Sequence, residues 1–369
     1  MVPGTGDRLV ISFDEIAEDR RYMRYSVTHC DARWQPSGLV DSEVVEGFNI
    51  GDVDDYQYSQ MTLTHYVHYR IVIPNDQMLL KISGNYLLRV YPENDPDDTL
   101  LQVRFMVSEQ EVGTSATVTS ITDIDYNASH QQLSLSIDAS RLPVQNLFSD
   151  LTVVISQNGR MDSEVLLPHP SRVSGSTAIY EHLPQLIFPA GNEYRRFEAS
   201  SVTYPGMRVD DITFYDPFYH VTLTTDVPRA DGQYVYDQTQ HGRFFIREYN
   251  SSQSDIEADY VAVHFNLDMP RLRDADIFLD GDFTCRRFDP ESLMTYNEAT
   301  GMYENTMLLK QGAYNYQYLT VPRGARQGNT ATVEGDFYPT VNEYIVKIYY
   351  RQPGQRYDRL VGYNIIMSL

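Results

Sequence analysis

The chain has 369 residues and carries 29 Lys and Arg against 51 Asp and Glu, a formal charge of −22. At roughly 150 residues per domain this length makes two to three domains, each able to bury its own core. The 29 Tyr and 15 Phe are what acidic disordered chains lack, so the chain is folded. The charge, with no Lys/Arg-rich run to interrupt it, argues against nucleic acid and against docking on an anionic membrane.

The first residues, Met1 to Val10, show no basic segment followed by an apolar one. No apolar run approaches the ~20 residues that span a bilayer, so the chain reads as soluble, without direct membrane insertion. If the protein is exported, its signal has been removed from this sequence. Period-2 alternation follows almost everywhere. Leu9, Ile11 and Phe13 mark one strand, and Met23, Tyr25, Val27 and His29 the next. The segment Leu39 to Glu46 is weakly helical and stops at Gly47. Further strands follow at Tyr86-Leu88-Val90, Ile212-Phe214, Val261-Val263-Phe265 and Val346-Ile348-Tyr350. Turns such as Ser83-Gly84-Asn85, Gln157-Asn158-Gly159 and Asp280-Gly281-Asp282 punctuate them. Short strands at such spacing predict an all-β chain of tandem antiparallel β-sandwiches, immunoglobulin-like. The expected division is 1–110, 111–269 and 270–369, with Met269-Pro270-Arg271 as the last linker.

In the third block, Ile277 to Phe283 is followed by Gly312-Ala313-Tyr314-Asn315-Tyr316-Gln317-Tyr318. This pattern resembles the early-set immunoglobulin-like modules related to glycogen-binding domains. Where such modules place a Trp platform, this chain has Thr284-Cys285-Arg286-Arg287, so the resemblance implies the fold and not sugar binding. Tyr314, Tyr316 and Tyr318 are either a core stripe or an aromatic platform.

Candidate chemistry is sparse. His65 and His68 stand three apart, on opposite faces of a strand, and predict no shared metal. His29 and Cys30 likewise face apart, so Cys30 reads as a small buried residue and Trp34 as an anchor of the first core. Acid pairs such as Asp54-Asp55, Asp97-Asp98 and Asp210-Asp211 leave a glycoside hydrolase open on residue types alone. With 51 acids, coincidence explains such pairs. No twelve-residue calcium loop, nucleophile elbow or phosphate-cradling glycine loop is present. Two cysteines, Cys30 and Cys285, allow no disulfide framework. The cluster Gly191-Asn192-Glu193-Tyr194-Arg195-Arg196-Phe197 is either a presented loop or a hairpin corner with Arg195 paired to an acid. The expected interface residues are Tyr194 and Arg195 there, and Arg286 and Arg287 at the third-block corner.

The ordered motifs His29-Cys30-Asp31-Ala32-Arg33-Trp34, Thr64-His65-Tyr66, Ser83-Gly84-Asn85-Tyr86, Gln157-Asn158-Gly159-Arg160, Gly191 to Arg195, Ala258-Asp259-Tyr260, Leu309-Lys310-Gln311-Gly312 and Arg356 to Gly362 resemble the type IX secretion system plug protein family, from Leu9 to Tyr363. The resemblance implies a non-catalytic periplasmic protein, held peripherally at the outer membrane. It would close the periplasmic mouth of the large translocon β-barrel and be monomeric when free. It implies no catalytic residue, cofactor or metal. The alternatives are a carbohydrate-binding module and a cell-envelope scaffold.

Overall fold

The computed structural model describes residues 1 and 6–368. It is all-β, and its strands form facing sheets around three apolar cores. In the N-terminal module, Leu9–Glu15, Val67–Ile73 and Asp55–Tyr58 make one antiparallel sheet. Gly51–Asp52, Met23–Cys30, Gly84–Pro92 and Leu101–Val107 make the other. Alternation does what its period requires: Ile11, Val67, Tyr69 and Ile71 meet Tyr25, Val27, Tyr86, Leu88 and Val90 between the sheets. The weakly helical stretch is a single turn, Asp41–Val44, followed directly by the strand Val45–Gly47. Trp34 is not in this core. It is half-buried at a left-handed backbone position, with the Arg104 guanidinium 4.8 Å over its ring.

The middle sandwich departs from the expected division. One sheet joins Gly113–Thr119, His130–Asp138, Thr177–Tyr180 and Arg172–Ser174, with Ile187–Pro189 added against His130–Asp138. The facing sheet runs Val165–Leu166, Leu151–Gln157, Glu343–Tyr350 and Arg359–Met367. Its last two strands come from the end of the chain, and Tyr344, Val346, Ile348 and Tyr350 complete the core with Leu133, Leu135 and Ile137.

Between Ala190 and Asn342 the chain builds a third module, inserted into the second. Its sheet runs Arg195–Ala199, Gly312–Pro322, Ala275–Asp280, Leu293–Asn297, Met302–Lys310, Tyr260–Leu267, Phe218–Leu223 and Val209–Tyr215, and Phe244–Ile246 also pairs with Gly312–Pro322. One core joins Phe197, Tyr314, Tyr316 and Ile277 to Val263, Phe265 and Leu309. Phe218–Leu223 pairs in parallel with Tyr260–Leu267, an exception to the antiparallel rule. The boundary expected at 269/270 therefore falls between strands of one sheet, and that expected at 111–269 omits two strands of the middle core. The physical reason is that Met269 is buried in the inserted core, not exposed in a linker.

Candidate functional site

The motifs that carry the family resemblance converge on the seams between modules. Ala190 and Asn342, the two ends of the insertion, are joined where Asn342 Nδ2 donates to the Ala190 carbonyl at 2.7 Å. The same amide donates to Gln131 Oε1, and Asn158 donates to its Oδ1. Just inside the insertion lies a buried charge network. Arg195 Nη1 reaches Asp226 at 2.6 Å and its Nε reaches Glu334 at 3.0 Å. Asp226 also accepts from the Tyr316 and Tyr318 hydroxyls at 2.7 and 2.8 Å and from Arg208 at 2.6 Å. Glu334, wholly buried, further receives Arg229 and the Tyr318 backbone N–H. Burial alone would raise the Glu334 carboxyl, but Arg195 and Arg229 hold it below its ordinary value. Each buried charge has opposite charges and directed donors, the condition under which such groups persist in a core.

A second network lies beside it. Arg286 Nε pairs with Asp282 at 2.8 Å, and its Nη1 approaches Tyr194 Oη at 3.2 Å and Asp280 at 3.3 Å. Nη2 donates to the His241 carbonyl at 2.5 Å. Gly242, at φ +88°, makes room: a Cβ there would lie 2.5 Å from Arg286 Nη2. The loop reading of Tyr194 and Arg195 is thus corrected, because both are buried and fully engaged. Arg286 is corrected likewise. A 3-10 turn at Asp282–Thr284, then left-handed Cys285 and Arg286, folds its side chain inward, to 7% exposure. Arg287 alone is exposed. Tyr314, Tyr316 and Tyr318 are core, at 2%, 0% and 0% exposure, so they offer no platform to a sugar.

The N-terminal module is tied to both others. Toward the inserted module, Asp14 accepts from Lys310 Nζ at 2.6 Å and the Tyr260 hydroxyl at 2.9 Å, and within its own module it accepts from His68 Nδ1 at 2.6 Å. Burial would raise Asp14, but the His68 hydrogen bond and the Lys310 charge hold it low. The Asp259 carboxylate receives the Leu63 and Thr64 backbone N–H groups, and the Tyr66 hydroxyl donates to the Ala258 carbonyl at 2.8 Å. Toward the middle module, Ala32 N–H donates to Asp358 and the Tyr349 hydroxyl to Asn85, at 2.9 and 2.8 Å. Arg359 pairs with Glu109. Ala32, Val154, Tyr349 and Leu360 form a small apolar core at this seam.

These pairings decide the catalytic readings. Both nitrogens of His29 are engaged, by Ser37 Oγ and the Ser83 carbonyl at 3.0 Å each. Burial raises the Cys30 thiol, the wrong direction for a nucleophile. His65 pairs with Glu18 and His68 with Asp14, on separate partners. Among the described residues no group of three or more His, Cys, Asp or Glu is placed to hold a metal ion, and no helix is long and apolar enough to cross a membrane.

Several large apolar side chains are exposed near the seam between the N-terminal and inserted modules. Met61, Tyr204, Tyr249, Phe245 and Leu63 are exposed, Met61 at 89%. They stand on segments joined by one run of hydrogen bonds. Gln60 N–H donates to the Ile256 carbonyl, Leu63 N–H to Asp259, Asp259 N–H to Gln311, Arg247 N–H to the Gln311 carbonyl and Tyr249 N–H to the Ser200 carbonyl. Sequence reasoning missed these residues, since a single exposed apolar residue in a loop carries no pattern.

Fold and seams together define a three-module β-sandwich protein whose signature residues fix its modules against one another. Residues 3–109 match the family described as Type 9 secretion system plug protein 1st domain. The whole chain is similar to the crystal structure of a hypothetical protein from Parabacteroides merdae ATCC 43184, with 42% sequence identity and a TM-score of 0.98, covering 100% of this chain and 93% of that one. No curated protein matches. Residues 3–109 thus carry the first domain of the type IX secretion system plug protein family, in line with the resemblance of the ordered motifs.

Proposed function

We propose that this chain is a non-catalytic periplasmic plug that seats against the periplasmic mouth of the large outer-membrane translocon barrel and closes its pore. The observation that carries this reading is the fastening of the three modules to one another by the buried Asp14–Lys310 pair and by the seam hydrogen bonds of Ala32 to Asp358, Tyr349 to Asn85 and Asn342 to Ala190. A stopper acts by shape, and shape is kept only if modules do not swing; ordinary inter-domain contacts leave such motion free. The exposed residues Met61, Phe245 and Tyr249, with Arg287 kept from the expected interface, are the contact residues in this reading, since exposed aromatic residues suit a reversible interface. The other two readings have less support. A carbohydrate-binding module lacks its aromatic platform, and a scaffold role makes no use of rigid seams.

The test is conductance of the purified translocon in a planar bilayer, before and after this chain is added. Closure by the chain, weakened at least tenfold in concentration by M61D/Y249D with folding intact, supports the proposal. An unchanged current in the presence of bound chain would overturn it.

A further inference from the structure

We propose that His220 and His264 form a two-imidazole chelate for a divalent transition-metal cation, copper(II) ahead of zinc(II), on the outer face of the inserted module. The proposal is independent of the plug reading. The two rings come from neighbouring strands, Phe218–Leu223 and Tyr260–Leu267, whose parallel register sets Thr222 beside His264 and His220 beside Ala262. Alternation turns Val221, Val263 and Phe265 into the core and leaves both histidines half-buried on the opposite face. There His220 Nδ1 and His264 Nε2 lie 2.8 Å apart. Two nitrogens bound to one metal at about 2.0–2.1 Å stand roughly 2.9–3.4 Å apart, close to the present spacing, and a turn of roughly 35–45° of each ring within its plane aims both lone pairs at one ion.

The surroundings orient the donors. His264 Nδ1 lies 2.9 Å from Thr306 Oγ1. With its N–H donating to that hydroxyl, the Nε2 lone pair is directed at His220, which is the outer-shell arrangement of metal-bound histidine. The Tyr215 and His220 rings pack edge-to-face with centroids 5.3 Å apart. In the metal-free pair His220 Nδ1–H donates to His264 Nε2. On binding, that proton moves to Nε2 of His220 and the metal takes its place between the nitrogens, so a neutral pair releases no proton. Two carboxylates share the face: Asp211 is opposite Thr222, and Glu304 is opposite Asn266. Their negative charge favours a cation, and imidazole donors favour copper(II) over zinc(II).

Titration of the full chain with copper(II) alone, followed by calorimetry and electron paramagnetic resonance, tests the site. One equivalent is expected with two nitrogens in the equatorial signal. H220Q and H264Q should each weaken it more than tenfold, and H65Q, at an exposed histidine paired with Glu18, should leave it unchanged. T306V should weaken it several-fold. The single variants lie on different strands, so misfolding of one, seen by circular dichroism, leaves the other to decide. Copper(II) binding by both variants equal to that of the unaltered chain, or no saturable equivalent in the unaltered chain, would overturn the site.

Discussion

Removing the Arg195 guanidinium takes from Asp226 and Glu334, at 3% and 0% exposure, the buried cation they share, and leaves them Arg208 and Arg229 respectively. Arg195→Met is therefore expected to destabilise the inserted module by about 3–5 kcal/mol, since two buried carboxylates lose their shared buried partner and keep only arginines that are partly exposed. Urea unfolding measures this, and a loss below about 1 kcal/mol would contradict the network's role. The same residues set a pH dependence. Glu334 and Asp14 are held below their ordinary values, so their ionised forms favour the native state. That stability is complete above about pH 4.5 and is lost as the pH falls through the lowered values. Glu193 has the opposite sign, because burial raises its carboxyl and protonation there favours the fold. Glu43, Asp123, Asp125, Asp138 and Glu304 are lowered as well, so the urea midpoint should fall between pH 5 and pH 3, and Asp14→Asn should flatten part of that fall.

At the scale of elements, the seam between Leu9–Glu15 and Met302–Lys310 rests on the Asp14–Lys310 pair. Asp14→Asn and Lys310→Met, alone and together, should show a coupling of about 1–3 kcal/mol in a double-mutant cycle. Additive losses would mean that the modules are held by their other contacts. The insertion gives a second expectation. Ala190 and Asn342 are hydrogen-bonded neighbours, so a few glycines can replace 191–341. The middle sandwich should then retain a cooperative unfolding transition, because all its core strands are kept. By contrast, a fragment of residues 270–369 should not fold, as it holds parts of two cores and the whole of neither. Amide proton dispersion in NMR spectra distinguishes folded from unfolded in both cases.

For the whole molecule, three seams decide whether the chain behaves as one body. The strand Glu343–Tyr350 shows how they were hidden. Tyr344, Val346, Ile348 and Tyr350 fill the middle core, and the alternation marks them correctly. Tyr349, on the other face, is also buried, against the N-terminal module, with its hydroxyl on Asn85. Nothing in a tyrosine at that position distinguishes an exposed sheet face from a face covered by another module. The interface reading failed for the same reason. Tyr194, Arg195 and Arg286 have the composition of a binding surface, and a buried, fully paired network uses the same residue types.

The sequence by itself determined the β class and the core-facing side of the strands, because side-chain alternation is a local property of the backbone, while the burial of Cys30 followed from its residue type. It also carried the family, through motifs that prove to be seam residues. Only the tertiary structure decided which strands pair, that Leu151–Gln157 takes Glu343–Tyr350 as its neighbour across an entire inserted module, and that the charged motifs face inward. Periodicity tells a strand which side to bury and says nothing of its partner. A charge in the sequence does not reveal whether an opposite charge from a distant segment will meet it.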